Sequence, residues 1–563
     1  MIVSRAIFKT ICSFNSHCFS TSFRDVYTSN LIISNLSRQG KMDIARKLFD
    51  EMPTRDIVTW NILITGYWKN GFIKQSKTLF DSMPLRNIVS WNSMIAGCIE
   101  YESIDAASSY FKKMPERNVA SWNVMIAGFI RYGMVEEAAK LFEEMPRRNV
   151  ISYTAMIDGY ARIGEIKKAR ELFDFMPRRN EVSWTVMISA YVEMDEFDEA
   201  RELFCRMPCK NVVAVTAMIT GYCKEGKLED ARVLFEEIQH GDRDDVSYNA
   251  MITGYAQNGR GEESLRLLVD MIRSRLRPDQ YTLVSILAAC SSLASLTEGK
   301  QSHALVFKHG LHTHVSVGNA LITMYSKCGS LVDFESVFEH ICTPNIVSWN
   351  TIIAAFAQHG LYEKALCFFN KIKLHGIEPD GITFLSLLSA CGHAGMVKES
   401  LYWFDTMKNV YKVEPRREHY ACLIDILGRS GQVESAYRMI QEMPFEADLE
   451  VWGALLAGCR FSLNIELAEL AAQEIMKLDA KNSGAYVMLS NIYAASGLWR
   501  KVTEVRRLMK EHEVKKQAAF SWMEIDSTVH YFVGGDASHL AIDEIHTVIM
   551  QLYFQMKTME DIT

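Results

Sequence analysis

Long hydrophobic runs are missing from this 563-residue chain. No stretch approaches the ~18 apolar residues of a membrane-spanning helix, so membrane insertion is not expected. Proline and glycine are sparse, at 11 and 31, which excludes a collagen-like or low-complexity chain. A surplus of positive charge is also absent. Lys plus Arg number 61 against 68 Asp plus Glu, a net charge of −7, whereas a protein that holds nucleic acid by its phosphates alone is usually basic overall. That balance leaves base reading in a groove open. The 13 cysteines are an odd and scattered set, which fits a reducing compartment without a disulfide framework. With 48% hydrophobic and 11% aromatic residues the composition is globular, and length alone would suggest about four domains.

Acidic residues are missing from 1–24, a segment that carries Arg5, Lys9, Arg24 and five serines. Lys9 interrupts the apolar core that a secretory signal would need. An Arg-bearing, Ser-rich, acid-free start reads as an organelle transit peptide over 1–25, mitochondrial before chloroplast. The alternative is an unstructured tail.

What the chain does have is periodicity. Met-Pro pairs stand at Met52-Pro53, Met83-Pro84, Met114-Pro115, Met145-Pro146, Met176-Pro177 and Met207-Pro208, a step of 31 residues. Trp60, Trp91, Trp122, Tyr153 and Trp184 keep that step, as do Phe49, Phe80, Phe111, Phe142, Phe173, Phe204 and Phe235. Within 119–149, Trp122, Met125, Ile126 and Phe129 fall at i, i+3, i+4 and i+7, one face of a helix. Ser121 stands before that face as an N-cap, with Thr59, Ser90, Ser152 and Ser183 in the same role, and Gly133 closes the helix. Val135, Ala138, Leu141, Phe142 and Met145 mark a second helix, which Pro146 stops. Ala138 recurs as Ala45, Ala107, Ala169, Ala200 and Ala231, and a side chain so small lets the two helices approach closely. Such a hairpin cannot bury its apolar faces alone, whereas stacked neighbours bury them together, which gives an α-solenoid. Thirteen units of 31 to 36 residues run over 26–448, and two degenerate helical pairs follow over 449–516. No linker separates domains, which sets the four-domain division aside. Over 520–533, alternation suggests two short strands, Phe520 to Ile525 and Val529 to Val533, with Asp526-Ser527-Thr528 as the turn.

The units resemble pentatricopeptide repeats, as in IVSWNSMIAGCIEYESIDAASSYFKKMPERN from Ile88 and IVSWNTIIAAFAQHGLYEKALCFFNKIKLHGIEPD from Ile346. Their mixed lengths are similar to the plant PLS subclass, with YTLVSILAACSSLASLTEGKQSHALVFKHG from Tyr281 as a long variant. The segment from Tyr486 to Lys516 resembles the subclass's E motifs, and SWMEIDSTVHYFVGGDASH from Ser521 resembles its E+ segment, over 517–563. One departure is that Ala518-Ala519-Phe520 stands where the family usually has Pro-Gly shortly before Ser-Trp. The resemblance implies an all-α fold, a right-handed α-solenoid superhelix with a short E+ extension that holds the β-hairpin. It also implies a monomer that binds single-stranded organelle RNA.

The fifth position of each unit holds Asn30, Asn61, Asn92, Asn123, Thr154, Thr185, Thr216, Asn249, Asn319 and Asn350. It is expected in the first turn of the first helix, off the apolar face, where Asn and Thr are mediocre helix formers. The last position holds Asp56, Asn87, Asn118, Asn149, Asn180, Asn211, Asp244, Asp279, Asn345 and Asp380. Stacked hairpins would bring one such pair per unit onto one surface, where amide, hydroxyl and carboxylate groups can meet the edge of one base each. The competing reading makes these residues caps and turns, which Asn and Asp favour, but it does not explain the restricted pairing. Val284, Leu385 and Ala421 occupy the fifth position of three units and should be silent. In the family, Asn with Asp favours U, Asn with Asn C or U, Thr with Asn A, and Thr with Asp G. The resemblance therefore implies a site 5′-UYYYAAGUNYUNN-NNN-C ending on the edited cytidine.

A zinc deaminase of the DYW type, found in related proteins, needs H-x-E and C-x-x-C. Neither occurs here: no His has Glu two residues on, Cys205 and Cys209 are one residue too far apart, and Cys391 and His393 read as helix residues. Only 24 residues follow His539, too few for that fold. No catalytic site, metal or cofactor is expected. The resemblance then implies partners instead, a DYW-type deaminase supplied in trans and accessory organelle editing factors. Arg500, Lys501, Arg506, Arg507, Lys510, Lys515 and Lys516 form a local basic run that touches phosphates or an acidic partner, or else is a solvated face with Glu–Lys pairs. Two alternatives to editing remain: an RNA-binding factor for splicing, processing or stability, and a protein-binding solenoid with varied charged and aromatic anchors.

Overall fold

The computed structural model describes residues 25–239, 241–514, 520–525, 528–533 and 542–560. The expected transit peptide lies outside them, as do Lys515, Lys516 and the residues Asp526 and Ser527 of the expected turn. The chain divides into two compact units, Met1–Glu225 with Val233–Ile238, and Gly226–Arg232 with Gln239–Thr563.

Each unit is built from helical pairs. In the first unit, Val26–Arg38 pairs with Met42–Glu51, Ile57–Lys69 with Ile73–Asp81, and Ile88–Tyr101 with Ile104–Lys113. The same order continues through Val119–Arg131 and Val135–Glu144 to Val212–Lys224. In the second unit, the pairs run from Asp245–Gln257 and Gly261–Arg273 to Ser483–Ala495 and Trp499–Glu511. Within each unit the first helices other than Val212–Lys224 pack against their own second helices, and successive first helices pack against one another. The sequence-derived stripes are this core: Met125, Ile126, Val135, Ala138, Phe142 and Met145 are all buried, and the recurring alanines are fully so.

The two aromatic periodicities prove to be one joint. Phe49, Phe80, Phe111, Phe142 and Phe173, on second helices, each meet the edge of the next unit's Trp60, Trp91, Trp122, Tyr153 or Trp184, with centroids 4.9–5.2 Å apart. Such pairs add about 0.5–1.5 kcal/mol beyond the area they bury. Over the outer face of each Phe lies an arginine that the sequence reading passed by. Arg117 Cζ is 4.7 Å from the Phe111 centroid, and its Nε donates to the Phe111 carbonyl at 3.0 Å. Arg55, Arg86, Arg148 and Arg179 repeat the arrangement on Phe49, Phe80, Phe142 and Phe173. Pro removes the N–H that each Phe carbonyl would have met, and the guanidinium supplies a donor there, beside the Met N–H that reaches the same carbonyl at Phe49, Phe80, Phe111 and Phe173.

The helix starts differ from expectation. Val119–Arg131 begins two residues before Ser121, and its N-cap is Asn118, whose side chain accepts from the Ser121 N–H at 2.9 Å. Thr59, Ser90, Ser121, Ser152 and Ser183 are therefore third helical residues, each closing a capping box on Asp56, Asn87, Asn118, Asn149 or Asn180. At the other end Gly133, at φ +74°, donates to the Ile130 carbonyl while Met134 reaches back to Phe129, a Schellman closure.

Near the C-terminus β1 (Phe520–Ile525) and β2 (Thr528–Val533) pair antiparallel, Phe520 opposite Val533 and Ile525 opposite Thr528. Thr528 thus belongs to the strand and not to the turn. A helix over Ile542–Glu560 was not foreseen; Ile542, Ile545, Ile549 and Leu552, spaced by three and four, are its signal.

Candidate nucleic-acid interface

The last residue of a unit is the N-cap of the next first helix, so its side chain is fixed by backbone geometry. Asp56, Asn87, Asn118, Asn149, Asn180 and Asn211 in the first unit, and Asp279, Asn345 and Asp380 in the second, each accept from the third N–H of the helix they open. Asp244 does the same for Asp245–Gln257. The cap reading is correct for this position, and it does not exhaust it, because one carboxylate or amide edge remains beyond the cap bond.

The fifth residue of the preceding helix reaches the same side chain, in most of these pairs at the very oxygen that caps. Asn30 Nδ2 donates to Asp56 Oδ1 at 3.3 Å, Asn123 to Asn149 at 3.2 Å, Asn249 to Asp279 at 3.3 Å and Asn350 to Asp380 at 2.9 Å. Thr185 Oγ1 and the Asn211 amide are 3.3 Å apart. Thr154 instead returns its hydroxyl to the Val150 carbonyl at 2.8 Å. The fifth position is not off the apolar face as expected: Asn30, Thr185, Thr216 and Asn350 are buried and the others half-buried. Burial there has a consequence. Oδ1 of Asn30, Asn61, Asn92, Asn123 and Asn319 is buried without a hydrogen-bond partner, a costly state that a bound donor would relieve.

Two further rows flank these residues. The second residue of the first helix is an exposed apolar side chain: Tyr27, Val58, Val89, Ile151, Val182, Val213, Val246, Tyr281, Val347 and Ile382, from 53% exposed at Val347 to 69% at Tyr27. One exposed valine is ordinary, but one per repeat is a pattern. Residue thirteen lies three turns on and so shares the face of residue two. It is Arg38, Lys69, Arg131, Arg162, Lys224, Lys327 and Arg429 in seven units, all exposed, against Glu100 and Glu193 in two. Neither row alternates or clusters along the chain, so periodicity within one helix does not reveal it, whereas alignment of the units at 31-residue steps does. Around Asn350 these groups enclose a cavity of about 280 Å³, lined by Val347, Asn350, Thr351, Gln358, Asp380 and Ile382 among others.

Electrostatics favour an ionised carboxylate at the caps. Burial raises the Asp380 pKa, but hydrogen bonds from the Thr383 N–H and Asn350 outweigh it and leave the group below its ordinary value. Asp56 is lowered as well, first by the Thr59 hydroxyl. Val284, Leu385 and Ala421 offer no polar side chain at the fifth position. Cys391 is buried, and His393 Nδ1 lies 2.7 Å from the Ala357 carbonyl, a structural contact. No group of three or more His, Cys, Asp or Glu among the described residues is placed to hold a metal ion. Of the basic run, Arg507 pairs with Glu511 at 2.9 Å and Lys501 with Glu469 at 2.5 Å.

Comparison with known proteins agrees with this architecture. Family profiles described as PPR repeat match 27–57, 58–88, 89–119, 151–181, 182–212, 209–239, 382–410 and 418–446, and one described as PPR repeat family matches 117–151, 243–292 and 344–393. A profile described as E motif matches 462–524. A pentatricopeptide repeat-containing protein of Arabidopsis thaliana is 42% identical over 290 residues, 51% of this chain and 37% of the relative. A chloroplastic and a mitochondrial member from the same plant are 39% and 38% identical, each over 56% of this chain and over 37% and 35% of their own length. The chain thus spans well under half the length of these relatives. The crystal structure of PPR10 from maize superposes with a TM-score of 0.52 at 20% identity, over 87% of this chain and 85% of that one. PPR10 bound to an 18-nt psaJ RNA element gives 0.50 at 18% identity over the same shares. With repeat profiles over more than half of its length, the chain belongs to the pentatricopeptide repeat family.

Proposed function

We propose that the chain is a site-recognition factor for C-to-U editing of organelle transcripts, which binds single-stranded RNA and recruits a deaminase in trans. The observation that carries the binding is the repeated pair of fifth-position and N-cap side chains. Each has one polar edge left over, and several have a buried oxygen with no partner. A base edge supplies the missing groups. The exposed second-position side chains lie where they can cover base faces, much as aromatic platforms do in other single-strand binders. The row of cations on the same face attracts the backbone although the net charge is −7. That the fold neighbour PPR10 has been crystallised with RNA supports the same reading. The E-motif match at 462–524 and the resemblance of 517–563 to an E+ segment support editing over splicing or RNA protection. The names of the relatives, chloroplastic and mitochondrial, support an organelle, and the N-terminal composition favours the mitochondrion.

Two measurements test this. Selection from randomised RNA should return 5′-UYYYAAGUNYUNN, and Thr216→Asn should turn the G toward U. Retention of G by the variant removes Thr216 from the reading. In a plant lacking the protein, transcript sequencing should find a cytidine left unconverted four nucleotides after the last base of such a site. Unchanged cytidines with altered transcript ends or splicing would replace editing by the processing function.

A further inference from the structure

Asn249 and Asn350 differ from the other fifth-position asparagines in what holds the amide oxygen. The third residue of the next first helix donates to it: Thr282 Oγ1 to Asn249 Oδ1, and Thr383 Oγ1 to Asn350 Oδ1, both at 2.6 Å. Each hydroxyl also lies 2.9 Å from the neighbouring carboxylate, but it has one proton, and the amide is the nearer acceptor. The threonine oxygen in turn accepts from the Asp279 or Asp380 N–H at 3.1 Å. Since the asparagine Nδ2 donates to the same aspartate, the three residues close a ring that passes through the aspartate N–H. Thr282 and Thr383 are fully buried.

After Asn61, Asn92, Asn123 and Asn319 the corresponding residue is Ser90, Ser121, Ser152 or Ser348, each of which gives its proton to its own cap at 2.8–3.1 Å. The amide oxygens of those four asparagines stay unpaired. Threonine alone does not make the ring. Thr59 follows Asn30, yet its hydroxyl goes to Asp56 at 2.7 Å and Asn30 Oδ1 is unpaired. Asn30 lies in a 31-residue unit, whereas 245–279 and 346–380 have 35 residues. The ring is found only where threonine and the longer turn coincide.

We infer that Thr282 and Thr383 are positioning residues that fix the hydrogen-bond polarity of the readers Asn249 and Asn350. The inference rests on the base-reading function proposed above. An amide free to turn exchanges its donor and acceptor. With Oδ1 held by threonine, only Nδ2–H faces the cavity, beside a carboxylate that only accepts. Uracil presents O4 then N3–H along its edge, whereas cytosine presents N4–H then N3, the opposite order. A base held by its strand in one orientation thus meets a fixed donor and a fixed acceptor, and uracil fits. An asparagine without the ring relies on its cap alone: beside Asp56 the fixed acceptor still favours uracil for Asn30, whereas beside an Asn cap, whose amide can itself turn, either pyrimidine is admitted.

Affinities for RNAs differing only by U or C at one place decide the matter, measured on the full chain and on Thr383→Ser, Thr282→Ser and Thr59→Ser. Serine keeps the capping box, as Ser90 does, so thermal melts and overall affinity should stay unchanged. Thr383→Ser should lower the U-over-C ratio at the eleventh place roughly fivefold, the worth of one neutral hydrogen bond, and Thr282→Ser should do so at the eighth. Thr59→Ser should leave the first place unaltered. A Thr383→Ser chain that keeps the wild-type ratio, or a Thr59→Ser chain that loses as much, overturns the ring alone. A wild-type chain that prefers no base at either place overturns base reading and the inference with it.

Discussion

Asn118 shows how one side chain serves two ends. It caps Val119–Arg131 through Oδ1 and leaves its amide nitrogen to the surface next to Asn92. The cap requirement explains why the last position is so narrow in chemistry: of the side chains that cap well, Asn and Asp also carry a second hydrogen-bonding atom beyond the cap bond. Cap and reader are thus compatible, and substitutions separate them. Asn118→Ala should lower stability by about 1 kcal/mol through the lost cap and also lose base preference at the third place. Asn118→Ser should keep the denaturation midpoint but still lose the preference. If the serine variant selects as the wild type does, Asn118 is a cap and nothing more. The sequence discloses this position by its 31-residue recurrence, but it does not disclose the phase of the helix. Ser121 is as good a cap by type as Asn118, and only the hydrogen-bond direction distinguishes the capping residue from its partner three positions on.

Helices in this chain are legible where the signal is apolar spacing and hidden where the partner is backbone. Ala138, Phe142 and Met145 announce their helix and their burial, and both are found. Arg117 recurs as plainly, yet its partners are carbonyls five and six residues upstream, which no side-chain pattern names. Glycines carry similar hidden information. A Cβ on Gly458 would stand 2.5 Å from Gly428 Cα, and one on Gly428 2.8 Å from Gly458 Cα, so Arg417–Arg429 and Leu449–Ser462 touch backbone to backbone. No flexible side chain there can give way. Gly458→Ala should destabilise despite its gain of ~1 kcal/mol in helix propensity, since overpacking costs about 1–3 kcal/mol. Circular dichroism in denaturant should show an early loss of the segments around this joint, and an unchanged or raised midpoint would refute backbone contact as the reason for glycine. The exposed cations make an element-scale prediction of a different kind. Lys69→Ala, Arg131→Ala and Lys327→Ala should weaken RNA binding equally for matched and mismatched sequences. Each should reduce the slope of log affinity against log salt by about 0.7. A sequence-dependent loss would make them readers and not phosphate contacts.

At the scale of the whole molecule, the proposed function assigns recognition to the repeats and chemistry to a partner. Thirteen repeats carry every polar pair that can meet a base, while the E-motif match begins at 462. The buried thiols Cys98, Cys290, Cys391 and Cys459 are pushed up to about 12 by burial, so they stay protonated at cellular pH and have no nucleophilic role. His303, half-buried against Tyr325 at 2.8 Å, is lowered by burial, which outweighs the opposing pull of the Asp333 carboxylate. With no H-x-E or C-x-x-C in the sequence, the editing function proposed above requires the deaminating group to be supplied by another molecule. The purified 563-residue chain should therefore bind its RNA and convert no cytidine, with or without added zinc. A chain lacking 517–563 should keep its RNA affinity within about twofold, a change of less than ~0.5 kcal/mol, because no reader lies in that segment. Expressed in the mutant plant, it should fail to restore editing. Conversion by the pure chain would refute recruitment in trans, and a large loss of affinity on truncation would place part of the RNA site in the C-terminal segment.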